Sequence, residues 1–197
     1  MRYDAEHKQK TRSKVLEVAA KAIREDGPDR IGVAGVMAEA GLTHGGFYAH
    51  FKSKDELVAA AIEQMFENTR ARLKHEMEGH PPAEGLSNYI EFYLSKKHRD
   101  ARGAGCPMAA LASDLPRLSE ETRELFAEGA RRLTDVIAEK LSALGHEHPH
   151  MLARSTVSEL VGALSLARVE TDVKRSDAIL ADSRQWLKQR LGLESTP

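Results

Sequence analysis

The sequence predicts an all-α protein: a small N-terminal helical unit followed by a larger bundle, about nine helices in all. Three observations carry this. Apolar residues recur at i, i+3, i+4 spacing along most of the chain, alternating Val/Ile/Thr runs with hairpin turns are absent, and Gly and Pro fall between the periodic stretches.

The elements follow in order. Val15, Val18, Ala19, Ala22 and Ile23 trace one helical face, and Gly27-Pro28 stops that first helix. A short second helix is expected over residues 33–40, ended by Gly41, which can take the left-handed conformation. Thr43 offers an N-cap hydroxyl for a third, very short helix through His50. Ser53 caps a fourth, with Glu56 three residues on as in a capping box, and this helix continues toward Met77. Gly79-His80-Pro81-Pro82 is the clearest break. Beyond it the pattern predicts a helix over 83–97, a polar loop over 98–105 and a short helix over 107–113. A long helix over 119–144, a polar loop over 145–149 and a helix over 150–171 follow. A last amphipathic helix carries Ile179, Ser183, Trp186, Leu187 and Arg190.

Hydrophobic residues make up 41% and charged residues 30% of the 197, which suits one globular domain or a small module joined to a larger one. No apolar run approaches the ~20 residues of a membrane span, and the N-terminus is polar where a secretory signal needs its apolar region. One cysteine permits no intramolecular disulfide, so the cytoplasm is the expected location and no membrane is a partner. Net charge is −1, unevenly spread: residues 1–54 hold 10 Lys+Arg against 7 Asp+Glu, and the remainder 19 against 23. A mildly basic head on an acidic body hints at an anionic partner for the head.

Two short helices joined by Ala40-Gly41-Leu42-Thr43, with hydroxyl and basic residues around the second, form a helix-turn-helix pattern. Its core is expected from Ala34, Val36, Met37, Leu42, Phe47 and Phe51 against the Val15/Val18/Ile23 face. The run "TRSKVLEVAAKAIREDG" followed by "VAGVMAEAGLTHGGFYAHFKSKDEL" resembles the DNA-binding domain of the TetR/AcrR family of bacterial repressors. The likeness covers about residues 11–66, and Gly41-Leu42-Thr43, Gly45, Phe47-Tyr48, His50-Phe51, Lys54 and Glu56-Leu57 carry it. It implies a homodimer with a DNA-binding domain over 1–54. A linking helix and a ligand-binding and dimerisation domain then occupy 55–197, and an effector relieves repression by releasing a pseudo-palindromic operator.

Position by position, the resemblance assigns Thr43 to the start of the recognition helix, capping it and touching a phosphate. Tyr48, His50 and Lys54 fall at backbone-contacting places, apt because hydroxyl, imidazole and ammonium all donate to phosphate oxygens. For His50 a solvated face is the alternative, and for Tyr48 simple packing. His44 and Gly46 fall where family members vary and read sequence. Gly32 departs from the family's Thr or Ser, leaving the backbone N–H groups of Val33 and Ala34 to meet phosphate instead. Adjacent Gly45 and Gly46 let the backbone approach DNA closely, at a cost of roughly 0.8–1.0 kcal/mol each in helix propensity.

For the body, Tyr89, Phe92, Tyr93, Cys106, Met108, Leu111, Phe126, Leu133, Val161 and Leu164 are candidate lining for an effector pocket, although each also suits ordinary core. Pro107 at a first helical position makes Cys106 an N-cap, with Arg99 and Arg102 close in sequence. Cys106 is therefore a candidate redox or electrophile switch, or a small buried residue; some family members sense through such a cysteine. The family pattern puts dimer contacts at about residues 155–168 and 177–191, where Leu160, Leu164, Leu180, Trp186 and Leu187 can supply the surface. His146, His148 and His150 lack supporting ligands nearby, so no metal is expected. No cofactor is expected either, and no phosphate loop, nucleophile elbow or HExxH pattern marks an enzyme. The alternative is a helical carrier or enzyme whose N-terminal hairpin is merely structural.

Overall fold

The computed structural model describes residues 2–193, the side chains of residues 2–5 excepted. The described residues form nine α-helices and three 3-10 turns, and they contain no strand. The helices are α1 (Arg2–Asp26), α2 (Val33–Glu39), α3 (Lys54–Met77), α4 (Pro82–Tyr93), α5 (Lys96–Asp100), α6 (Pro107–Leu111), α7 (Glu120–Ala143), α8 (Pro149–Val169) and α9 (Val173–Arg190). The 3-10 turns are His44–Ala49, Arg102–Ala104 and Leu115–Arg117.

Local chemistry sets the boundaries. Gly27 (φ 89°) and Gly41 (φ 73°) take the left-handed conformation that ends α1 and turns the chain out of α2. Ser53 Oγ accepts from the Glu56 N–H at 3.1 Å, while Glu56 Oε2 accepts from the Lys52 N–H at 2.7 Å, one residue off the usual reciprocal partner. Ser95, Ser119 and Asp172 cap α5, α7 and α9 in the same manner.

The third helix, its cap and the loop after α4 differ from expectation. The third helix is a 3-10 turn: Gly46 N–H bonds Thr43 O at 3.0 Å and His50 N–H bonds Phe47 O at 2.9 Å, both i→i−3. Two consecutive glycines favour the α-helix so weakly that six residues close on the tighter pattern. Thr43 holds the N-cap position but makes no side-chain cap bond. The polar loop expected over 98–105 is α5 and a 3-10 turn, nucleated by Ser95 Oγ accepting from the His98 N–H.

Packing joins head to body. Val15, Ala19 and Ile23 of α1 meet Val36, Met37, Phe47 and Phe51, all buried, and Leu57 and Ala61 of α3 close the same core. Ala34 is exposed and Leu42 half-buried, so the α2 face of this core is narrower than expected. Behind it α3 packs on α1, α4 and α7, then α7 on α8 and α8 on α9. Phe66 of α3 meets Phe126 of α7 edge-on at 5.0 Å, and Gly129 leaves room for the Phe66 ring. α1 also touches the Arg102–Ala104 turn, which ties the head to the middle of the body.

Candidate nucleic-acid interface and ligand cleft

The His44–Ala49 turn presents an open face. Thr43, His44, Gly45 and Tyr48 are exposed, with Tyr48 at 69% although it is aromatic. Phe47 is buried on the opposite side and stacks on Phe51 at 5.6 Å, so the core anchors the turn while its other side stays free. His44 and Tyr48 meet edge-on at 6.4 Å, one turn apart. A Cβ on Gly45 would meet nothing within 4 Å, and one on Gly46 would meet only Met37 Cε and Thr43 Oγ1, each at 3.7 Å. Neither glycine is required by packing within the chain.

Gly32 is the N-cap of α2 with no side chain to cap it, and no acidic residue stands in the first turn. The first-turn N–H groups at half-buried Val33 and exposed Ala34 are thus without a side-chain acceptor. Lys54 is half-buried, and its Nζ donates to the Asp29 carbonyl at 2.8 Å, clamping the α1–α2 connection. His50 is half-buried with Nδ1 unpartnered, and its backbone carbonyl accepts from Arg12 Nη1. Burial, with the Lys8 and Arg12 charges, holds its imidazole below the ordinary histidine value. Arg12 also lies over the Phe51 ring at 4.2 Å. Lys14 of α1 borders the entry to the turn, its Nζ lying 3.5 Å from where a Cβ on Gly41 would stand, and Lys8 is near enough for its charge to bear on His50. Sequence reasoning left these lysines out; their signal was the basic run His7-Lys8-Gln9-Lys10-Thr11-Arg12-Ser13-Lys14.

The second feature is a cleft of about 1020 Å³ between α1, α3, α4 and residues 97–106. Of the expected pocket lining, Tyr89, Phe92, Tyr93 and Cys106 border it. Met108, Leu111, Phe126, Leu133, Val161 and Leu164 do not: Met108, Leu111, Leu133 and Leu164 are buried core, Val161 is half-buried, and Phe126 packs on Phe66. These six correct the expectation. The reason is that the cavity opens toward α1, not between α7 and α8. Arg24, Arg72, Lys97 and His98 line the cleft and were missed. Arg24 had a signal: it continues the buried Leu16–Ala20 stripe at spacing four, where an apolar residue is expected.

His98 organises the inner wall. Its Nδ1 faces the Tyr93 carbonyl at 2.8 Å, and its Nε2 accepts the Cys106 N–H at 3.1 Å. A carbonyl only accepts and an N–H only donates, so the ring must be the neutral Nδ1–H tautomer. Burial, reinforced by the Arg168 and Arg24 charges against the opposing Tyr93 bond, lowers its pKa. Arg168 donates to the His98 and Arg99 carbonyls at 3.1 Å each. Cys106 is the N-cap of α6, but its side chain makes no cap bond and it is 2% exposed. The arginines expected beside it turn away: Arg99 bonds Ser176 and Asp177 at 2.8 Å, and Arg102 is exposed against the Glu25 carbonyl.

Comparisons with known proteins agree with this geometry. The sequence model for bacterial regulatory proteins of the tetR family matches residues 15–61, and that for the transcriptional regulator LmrA/YxaF-like C-terminal domain matches 82–180. The chain belongs to the TetR family. The HTH-type transcriptional regulator Rv0196 of Mycobacterium tuberculosis is 28% identical over 190 residues, covering 91% of this chain and 95% of the relative. The fold is shared with a TetR transcriptional regulator of Chloroflexus aurantiacus (TM-score 0.81, 22% identity, 95% and 96% of the two chains). It is shared as well with the reduced form of E. coli NemR (TM-score 0.80, 21% identity, 91% and 96%). The head is thus a helix-turn-helix DNA-binding domain of a transcriptional regulator.

In this TetR-family chain the expected dimer surface needs correction. Leu160, Leu164, Leu180 and Leu187 are each 2% exposed or less, because they hold α8 and α9 to the chain's own core. Trp186 is exposed at 66%, and Met151, Leu166, Val169 and Val173 are also exposed on α8 and α9. His150 faces Asp135 at 3.6 Å, and no group of three or more His, Cys, Asp or Glu side chains gathers among the described residues. No helix of the described residues is long and apolar enough to cross a membrane.

Proposed function

We propose that the chain is a cytoplasmic, ligand-responsive transcriptional repressor that binds a pseudo-palindromic operator as a homodimer. Residues 1–54 act as the reading head and 55–197 as the sensing and dimerising body. The observation that carries this reading is that the cleft and the head share α1: its Lys21–Glu25 end walls the cleft, while Arg12 and Lys14 nearer its start meet His50 and Gly41 on either side of the recognition turn. A ligand that alters the cleft acts on the element that carries the reading surface. It shifts the equilibrium only by its differential affinity for the released arrangement.

On DNA, His44 and the bare backbone at Gly45 and Gly46 face the bases. Thr43, Tyr48, His50, Lys54 and the Val33 and Ala34 N–H groups hold phosphates. Thr43 and Tyr48 are the best placed, being exposed. Lys54 acts in part through the Asp29 clamp, with its remaining donors for phosphate. The dimer forms through the exposed apolar face of α8 and α9, where five of the seven exposed large hydrophobics of the described residues lie.

A second route to release is oxidation of Cys106, favoured by its place on the cleft wall. Its thiol attacks a peroxide, giving a sulfenic acid and releasing water or alcohol. Cys106→Ser is expected to abolish peroxide-driven release while leaving ligand-driven release intact. Unchanged peroxide response in that variant contradicts the route.

Selection of genomic fragments by purified protein, with their positions mapped, tests the whole reading. The expected result is enrichment of inverted-repeat fragments near a small set of promoters, lost in a Tyr48→Ala/Lys54→Ala variant that keeps its fold. Uniform recovery of fragments, or recovery unchanged in that variant, contradicts it.

A further inference from the structure

Arg24 is buried without a counter-charge. It is 7% exposed, and its two hydrogen bonds both run through Nη1 to carbonyls, Ala20 at 3.3 Å and Gly103 at 3.2 Å. Its Nε is buried with no partner. Among the described residues no carboxylate lies within ion-pair distance of it. Desolvation lowers its pKa to about 10, and Cys106 is the group that opposes this. An uncompensated buried guanidinium is costly, and the Leu16–Ala20–Arg24 stripe places it where a leucine would pack.

A second unpartnered polar group lies on the same cleft. Tyr93 is 2% exposed, and its hydroxyl has no partner at hydrogen-bonding geometry, although the Cys106 thiol adjoins it. Guanidinium donates only, and the unpartnered Nε edge is a side of the fork that can meet a planar oxygen pair. The surrounding walls are aromatic. Phe92 and Tyr89 line the cleft, Phe92 stacks on His98 at 5.3 Å, and the Arg72 guanidinium lies over the Phe92 ring at 5.0 Å. The volume of about 1020 Å³ admits a ligand larger than a simple ion.

We infer that the deep end of the cleft binds an aromatic carboxylate, its oxygens on Arg24 Nε and the Tyr93 hydroxyl and its ring between Tyr89 and Phe92. The inference rests on the cleft being the effector site and adds the chemical class of the effector. Gly103 accepts from Arg24 Nη1, so an anion that draws the guanidinium inward loosens the bond joining α1 to the Arg102–Ala104 turn.

Calorimetry on the full-length protein at pH 7.5 tests this with 2-naphthoate, its neutral isostere 2-naphthamide, and acetate. The acid is expected to bind at least about tenfold tighter than the amide, because only the anion satisfies the buried cation. Acetate is expected to bind far more weakly than naphthoate. Arg24→Gln is expected to erase the preference for acid over amide. Tyr93→Phe is expected to weaken the acid about three- to tenfold. Equal affinities of acid and amide in the wild type, no binding of either, or a preference retained in Arg24→Gln overturns the anion site. Acetate binding as tightly as naphthoate overturns the aromatic part. The wild-type comparison stands even where a variant fails to fold. Operator release is read in parallel. Naphthoate bound with the expected preference and no release supports this inference and contradicts the regulatory reading of the cleft. Release by the amide as readily as by the acid does the reverse.

Discussion

Gly46→Ala separates what the chain needs from what DNA needs. Gly46 does not have positive φ, so alanine adopts its backbone without strain. The new methyl would stand 3.7 Å from both Met37 Cε and Thr43 Oγ1, ordinary van der Waals contact. Restricting the unfolded chain then stabilises the folded one by about 0.5–1 kcal/mol. At roughly 2–4 °C per kcal/mol for a chain of this size, the melting temperature rises by about 1–4 °C. On DNA the sign reverses. The methyl stands about 1.5 Å off the backbone, on the turn that enters the groove. Displacing that turn forfeits on the order of one base or phosphate contact, about 1–3 kcal/mol, or roughly 5- to 150-fold in affinity. Thermal unfolding by circular dichroism and anisotropy of a labelled operator read the two effects separately. A variant that melts higher and binds the operator like wild type refutes close approach at Gly46. A variant that melts lower refutes the packing argument.

Three further outcomes are expected. Gly129→Ala puts a methyl 2.4 Å from Phe66 Cδ2, so it is expected to destabilise the α3–α7 contact by about 1–3 kcal/mol in denaturant titrations, with partial rescue by Phe66→Leu. The His98 pKa lies below 6.5 in the folded chain, so the unfolded state binds the extra proton; the stability due to its neutral form is full above about pH 6.5 and is lost as pH falls through that value toward the folded pKa. Chemical unfolding at pH 5.5 and 7.5 is expected to show a smaller drop in His98→Gln than in wild type, and parallel curves contradict the assignment. Trp186 is the single tryptophan, so dilution is expected to red-shift its emission as the α8–α9 faces separate, and Trp186→Glu is expected to hold the chain monomeric in sedimentation.

Much of the helical order was legible because it is written locally. Ser53 with Glu56, Gly27-Pro28 and Gly41 act within a few residues of themselves, and each marks a boundary in the fold. The recognition segment was located correctly but not its hydrogen-bond pattern, since two glycines set the 3-10 closure and leave no periodicity to read. Leu160, Leu164, Leu180 and Leu187 share helices with Trp186, and sequence spacing alone did not separate inward from outward faces. The cleft was hardest. Aromatic content pointed to Tyr89, Phe92 and Tyr93, but Arg24 comes from the head, and Gly103, whose carbonyl it holds, is 79 positions away.

Operator binding across a salt series tests the reading surface most directly. Anisotropy of purified protein on a selected inverted-repeat fragment and on random duplex of equal length should give a log–log salt slope set by the number of phosphates held. Preference for the selected fragment should reach about a thousandfold or more at physiological salt. Equal affinity for both duplexes, or affinity indifferent to salt, contradicts a sequence-reading head built on Thr43, His44, Gly45, Gly46 and Tyr48.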